Sequence, residues 1–149
     1  AELGVHSQRL GRLLQPAELE ALTKKGFMLV NVWRSIDTSA PVSGYPLAVC
    51  DATSVPSDDR LYYEVIKPIY TDHEGENYAL RFNEAHRWYY YPDMTADECL
   101  IFKVFDSQPN QFVFHTAFED QPDAHRESIE IRALLCFETA QKGDVLHQK

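Results

Sequence analysis

A histidine followed eleven residues later by an arginine, with a serine two positions beyond, can hold a metal and a carboxylate side by side. Here these are His115, Arg126 and Ser128. Residues two apart in a strand share a face, so Arg126 and Ser128 can converge on one carboxylate. The guanidinium offers a planar fork of donors and the serine adds a hydroxyl donor. A histidine on a neighbouring strand can bind iron(II) through a neutral imidazole nitrogen. That set suits an enzyme holding iron(II) beside an anionic oxo-acid. A histidine satisfied structurally at a strand end and a chance Arg-x-Ser fit the same residues.

Other groups invite the same double reading. In Trp33-Arg34 and Arg87-Trp88, arginine could grip an anionic group while tryptophan walls an apolar pocket; equally, each pair could be strand residues, one inside and one reaching outward. Alternation along Trp88–Tyr91 sends half of that aromatic run to each face. Glu130 and Arg132 share the face of Arg126 and Ser128, as polar lining or as an ion pair. Cys50-Asp51 has no spaced histidine to complete a dyad. Asp72-His73-Glu74, with Glu76, reads as a solvated turn. His86 and His125 read as surface or hydrogen-bonding residues, with His125 on the face opposite Arg126.

The elements that must position these residues are mainly strands. Leu10, Leu13 and Leu14 give a first helical face. Pro16, Leu19, Leu22, Lys24 and Lys25 continue the pattern, and Gly26 suits a C-cap. Strands are predicted over Phe27–Trp33, Leu47–Cys50, Tyr62–Ile66, Tyr78–Phe82, Arg87–Tyr91, Leu100–Phe105, Phe112–His115 and Ser128–Phe137. In that scheme His115 closes one strand and Arg126 opens the next. Turns are expected at Asp58-Asp59, Glu74–Asn77, Tyr91–Asp93 and Gln108–Asn110, with a capping box at Thr95–Glu98. Short strands behind a helical preface predict a single, mainly β domain, with a double-sheet jelly roll as a good candidate.

Composition narrows the partners. The 149 residues carry a net charge of −9 and no basic cluster, which argues against a nucleic-acid partner. No apolar run approaches the roughly 18 residues of a membrane span. The region Ala1 to Arg12 contains no apolar signal-peptide core. Three widely spaced cysteines, Cys50, Cys99 and Cys136, read as small buried hydrophobes in a reducing compartment, so the cytoplasm is the expected location. Oligomeric state is not legible.

Six segments, in order, resemble one family. They are Asn31-Val32-Trp33-Arg34, Pro46–Ala52, His86–Tyr90, Phe102–Ser107, His115-Thr116-Ala117-Phe118 and Arg126–Glu130. The chain resembles the AsaB-like hydroxylase/desaturase family, which includes CmcJ-like proteins and a fungal gibberellin desaturase, from about Leu3 to Phe137. The resemblance implies a double-stranded β-helix (jelly roll) and oxidative tailoring of a small secondary metabolite. It also implies non-haem iron(II) held by a His-x-Asp pair and a distal histidine, with 2-oxoglutarate as cosubstrate. His115 would be the distal ligand, Arg126 would bind the distal carboxylate of 2-oxoglutarate, and Ser128 would assist. Two histidines and one carboxylate leave iron positions open for cosubstrate and oxygen. The His-x-Asp pair is expected just ahead of the region of Ala1, and the 149 residues contain none. His6-Ser7-Gln8 lacks the carboxylate. The chain is therefore expected to be the C-terminal part of an oxygenase-like jelly roll, incomplete at its N-terminus. Rival readings are a jelly-roll binding module that cannot hold iron and, last, a methyltransferase, for which no Gly-rich loop follows a strand.

Overall fold

The computed structural model describes residues 14–65, 75–107, 112–122 and 125–137. The candidates Leu10 and Leu13, Asp72-His73-Glu74 and Gln108–Asn110 lie outside them. Among the described residues the elements are one α-helix, α1 (Pro16–Lys25), two single-turn 3-10 helices (Ala52–Ser54 and Ser57–Asp59) and eight strands: β1 (Phe27–Ser35), β2 (Leu47–Cys50), β3 (Arg60–Val65), β4 (Gly75–Leu80), β5 (Trp88–Tyr90), β6 (Leu100–Asp106), β7 (His115–Ala117) and β8 (Ser128–Cys136).

Helix α1 forms as its residues dictate. Pro16 opens it and Glu18 turns back to accept the Gln15 backbone N–H at 2.8 Å. Gly26, at φ 88, ends it by donating to the Leu22 carbonyl, a backbone conformation that a Cβ would disfavour. Leu22 then packs with Phe27, Leu29 and Phe105, closing one end of the core.

All strand pairs are antiparallel. One sheet has the order β6-β1-β8, a second β5-β2-β7, and β3-β4 form a separate hairpin. In the first sheet, β1 is central, and alternation decides its faces. Phe27, Leu29, Asn31, Trp33 and Ser35 are buried on the inner face. Across the sheet they stand in register with Cys136, Leu134, Arg132, Glu130 and Ser128 of β8. The second sheet lays Leu47 and Val49 over Trp33, Phe102 and Met94, so the main core fills the space between two facing sheets. This is the jelly-roll arrangement expected from the strand pattern.

The outer face of β6-β1-β8 is apolar and open: Ile101, Ile129, Ile131 and Leu135 are all exposed. Two sequence expectations change here. Gly75–Asn77 belongs to β4 rather than to a turn, because its backbone pairs with β3. Only Cys50 of the three free cysteines is buried; Cys99 and Cys136 are exposed. Of the two readings of His86, the hydrogen-bonding one holds: its side chain is 2% exposed and Asp59 offers its ring nitrogen a carboxylate at 2.9 Å. The Thr95–Glu98 box forms as expected, with Glu98 accepting from the Thr95 N–H at 2.9 Å. That bond and the Thr95 hydroxyl hold the Glu98 carboxyl below its usual range.

Candidate active site

The inner core presents two faces to the same interior. From the first sheet comes Trp33, 4% exposed and packed on Phe102 and Met94. Strand β1 holds it there because its alternation places every odd residue from Phe27 to Ser35 inward. Arg126 lies two residues before β8 rather than inside it. Its Nη1 donates to the Tyr45 carbonyl, and its guanidinium carbon sits 5.5 Å from the centre of the Trp33 ring. The stacked, tethered guanidinium retains donors for a carboxylate, as its five N–H groups exceed the single carbonyl that the structure gives it. Ser128 opens β8 opposite Ser35, on this inner face.

From the second sheet comes His115. It opens β7 rather than closing the preceding segment, because its backbone pairs with Val49 of β2. Its ring centre is 4.6 Å from that of Phe102, the neighbour of Trp33 in the core. Nδ1 lies 3.3 Å from the Val113 carbonyl. A carbonyl only accepts, so in the neutral ring Nδ1 is the donor and Nε2 keeps its lone pair. That is the tautomer a metal-binding histidine requires, with the second nitrogen fixed by a backbone carbonyl. His115 and Arg126 thus reach one aromatic cluster from opposite sheets.

Beyond Ser128, Glu130 and Arg132 do not form the direct ion pair considered from sequence. Both instead clasp Asn31, which is fully buried: its Nδ2 donates to Glu130 Oε1 at 2.7 Å, and Arg132 Nε donates to its Oδ1 at 2.8 Å. Every polar atom of that buried amide side chain therefore has a partner, which fixes β8 against β1. Periodicity alone could flag Asn31 as an inward polar residue in an apolar strand.

Two residues proposed from sequence as substrate-binding leave the lining. Arg34 lies on the outer face of β1, exposed, with Nε on the Ser35 carbonyl. Trp88 stands opposite Cys50, facing away from Val49 and His115. It lines a separate open cleft of about 400 Å³ with Leu80, Phe82 and His86. Of its polar lining, Asn83 and His86 each bond to the Asp59 carboxylate behind them.

Arg87 shares the inner face but does not hold a free charge. It donates to Asp51 Oδ2 at 2.7 and 3.2 Å and to the Thr53 hydroxyl at 3.1 Å. The Thr53 hydroxyl, then Arg87, hold the Asp51 carboxyl at about 2, below its ordinary 3.8. The Asp51 contribution to stability is thus complete above about pH 4 and is lost as pH falls through 2. An Asp51→Asn variant should unfold with a flatter acid limb between pH 4 and 2, read by circular dichroism. An unchanged limb would show that the pair is not formed in solution. Nearby, burial pushes the Cys50 thiol up, making it a poor nucleophile.

The residues present fit part of an iron site. His115 offers a correctly protonated imidazole and Arg126 a cation for the cosubstrate. Among the described residues, no three His, Cys, Asp or Glu come together to hold a metal.

Comparison with known proteins accords with this geometry. A family model described as oxidoreductase/YMDC permease-like domain matches residues 5–136. The chain is 31% identical over 144 residues to the hydroxylase/desaturase efuI of Hormonema carpetanum, covering 88% of this chain and 48% of that protein. It is 33% identical over 122 residues to the Fe(II)/2-oxoglutarate-dependent dioxygenase nvfI of Aspergillus novofumigatus, covering 76% and 42%. The solved structure of the iron and alpha-ketoglutarate-dependent endoperoxidase NvfI superposes with a TM-score of 0.75 at 30% identity, over 91% of this chain and 51% of that one. The chain spans about half the length of these relatives. It is also 32% identical over 139 residues to the hydroxylase/desaturase asaB of Aspergillus flavus, covering 81% of this chain and 60% of that protein. With the family model matching 132 of its 149 residues (5 to 136 inclusive), the chain belongs to the oxidoreductase/YMDC permease-like domain family.

Proposed function

We propose that this chain is the C-terminal part of an iron(II)/2-oxoglutarate dioxygenase that hydroxylates or desaturates a small secondary metabolite in the cytoplasm. The observation that carries this reading is the approach of His115 and Arg126 to one Trp33–Phe102 cluster from facing sheets. His115 Nε2 would ligate iron. Arg126, with the Ser128 hydroxyl beside it, would hold the distal carboxylate of 2-oxoglutarate. Iron(II) with this oxo-acid supplies an oxidant when dioxygen drives oxidative decarboxylation. The protein's part is positional: the Val113 carbonyl orients His115, and the Tyr45 carbonyl and Trp33 orient Arg126. The other metal ligands would lie outside the described residues. No described helix is long and apolar enough to cross a membrane.

The absence of a three-ligand cluster among the described residues favours one second reading, a jelly-roll module that binds the oxo-acid without iron. Incubation with iron(II), 2-oxoglutarate and oxygen separates the two. Succinate formation that is lost in Arg126→Ala supports the dioxygenase. Binding of 2-oxoglutarate without consumption supports the module.

A further inference from the structure

The open cleft of about 400 Å³ lined by Trp88 lies on the side of β5 turned away from Val49 and His115, so it is separate from the candidate metal site. Its apolar lining is Leu80, Phe82 and Trp88. Phe82 is 85% exposed and Trp88 41%, and neither ring packs on another aromatic ring among the described residues. Open aromatic faces in a concave surface are the mark of a small-molecule site. The two part-buried polar side chains of the lining are satisfied at every atom but one. Asn83 Nδ2 donates to Asp59 Oδ2 at 2.8 Å, and its Oδ1 accepts the Ala85 N–H at 2.9 Å. His86 Nε2 lies 2.9 Å from the same Asp59 oxygen, with the side chain 2% exposed. An ionised carboxylate only accepts, so Nε2 is the donor and, in the neutral ring, Nδ1 keeps its lone pair. The hydrogen bond from Asn83, and after it that from His86, lower the Asp59 pKa against the opposing effect of burial. Among the described residues, His86 Nδ1 has no hydrogen-bond partner.

We propose that this cleft is a second binding site, for a neutral aromatic alcohol of the phenol class, whose hydroxyl donates to His86 Nδ1 while its ring lies against Trp88 and Phe82. The unpartnered lone pair sets the polarity: a ligand that only accepts gains nothing from it. Charge points the same way. Arg81 and Glu84 bring opposite signs to the lining, and the Asp59 carboxylate stands behind His86, so the cleft does not attract an anion. Asp59 also holds the imidazole in place before any ligand arrives, which lowers the ordering cost of binding. The volume suits a small molecule of one or two rings. None of these groups belongs to the His115–Arg126 site, so the proposal stands apart from the dioxygenase reading.

The test titrates phenol and anisole into the metal-free protein while the ring nitrogen resonances of His86 are followed. Anisole keeps the ring and the oxygen but has no proton to donate. Phenol should move the Nδ1 resonance, leave Nε2 in place and bind about fivefold more tightly than anisole, the worth of one neutral hydrogen bond. Phe82→Ala removes a ring that is almost wholly exposed, so the fold should survive. It should weaken both probes about fivefold, the worth of one aromatic contact. Equal affinities for phenol and anisole would show that His86 donates rather than accepts, and would overturn the proposal. So would phenol binding that leaves Nδ1 unmoved, affinities unchanged in Phe82→Ala, or no binding of phenol at millimolar concentration.

Discussion

Replacing Arg126 with alanine is expected to weaken 2-oxoglutarate binding by about 100-fold, because a charge-assisted clamp on a carboxylate is worth roughly 1.5–3 kcal/mol and each 1.4 kcal/mol is tenfold. Metal affinity without the cosubstrate should change little, since Arg126 and His115 approach the core from different sheets. Lysine should restore only part of the loss: it supplies a point charge but neither the planar fork nor the stacking on Trp33. Calorimetric titration with manganese(II) as a redox-silent metal reads both affinities. Equal loss of metal and cosubstrate binding would contradict the assigned roles. Ser128→Ala should have a smaller effect, of about tenfold or less, because it removes one neutral donor.

The second large effect is on stability. Trp33→Ala should lower the unfolding free energy by about 3–5 kcal/mol, the usual cost of emptying a large aromatic site. The side chain is 4% exposed among Leu47, Met94 and Phe102, which leaves little room for the cavity to collapse. Trp33→Phe should cost roughly 1–3 kcal/mol, as a partial loss of packing. Both variants should also weaken 2-oxoglutarate binding, because the platform beneath Arg126 shrinks. Denaturant unfolding measures the first effect and titration of the folded fraction the second. A loss below about 1 kcal/mol in Trp33→Ala would mean that the Trp33 core is not formed.

Much of the scaffold was legible because alternation and turn chemistry are local. Leu47–Cys50 emerged with the expected bounds, and Pro16, Gly26 and the Thr95–Glu98 box acted as their residue types predict. The errors came from long-range partners. Whether Phe112–Phe114 or Thr116–Ala117 continues the strand at His115 depends on pairing with β2, which is distant in sequence. A long-range partner also decides between the two readings of His86: Asp59, 27 residues away, hydrogen-bonds its ring.

The site divided in the same way. Spacing and residue type made His115, Arg126 and Ser128 candidates, and the family resemblance supplied their roles; the structure sets His115 against Phe102 and Arg126 against Trp33. Arg87 and Trp88 were adjacent candidates, yet alternation can place only one of them inward, and register with β2 decides which. That choice removed Trp88 and showed Arg87 already occupied by Asp51. Arg34 fell to the outer face by the same parity that buried Trp33.

We propose that His115 and Arg126 bind the two halves of one metal–cosubstrate unit. Titration of iron(II) under anaerobic conditions, with and without 2-oxoglutarate, tests it most directly. The expected result is that 2-oxoglutarate raises metal affinity, that the metal raises 2-oxoglutarate affinity by the same factor, and that His115→Ala abolishes this coupling while Arg126→Ala weakens the cosubstrate. A folded protein that binds no iron under either condition, or whose coupling persists without His115, would contradict the account.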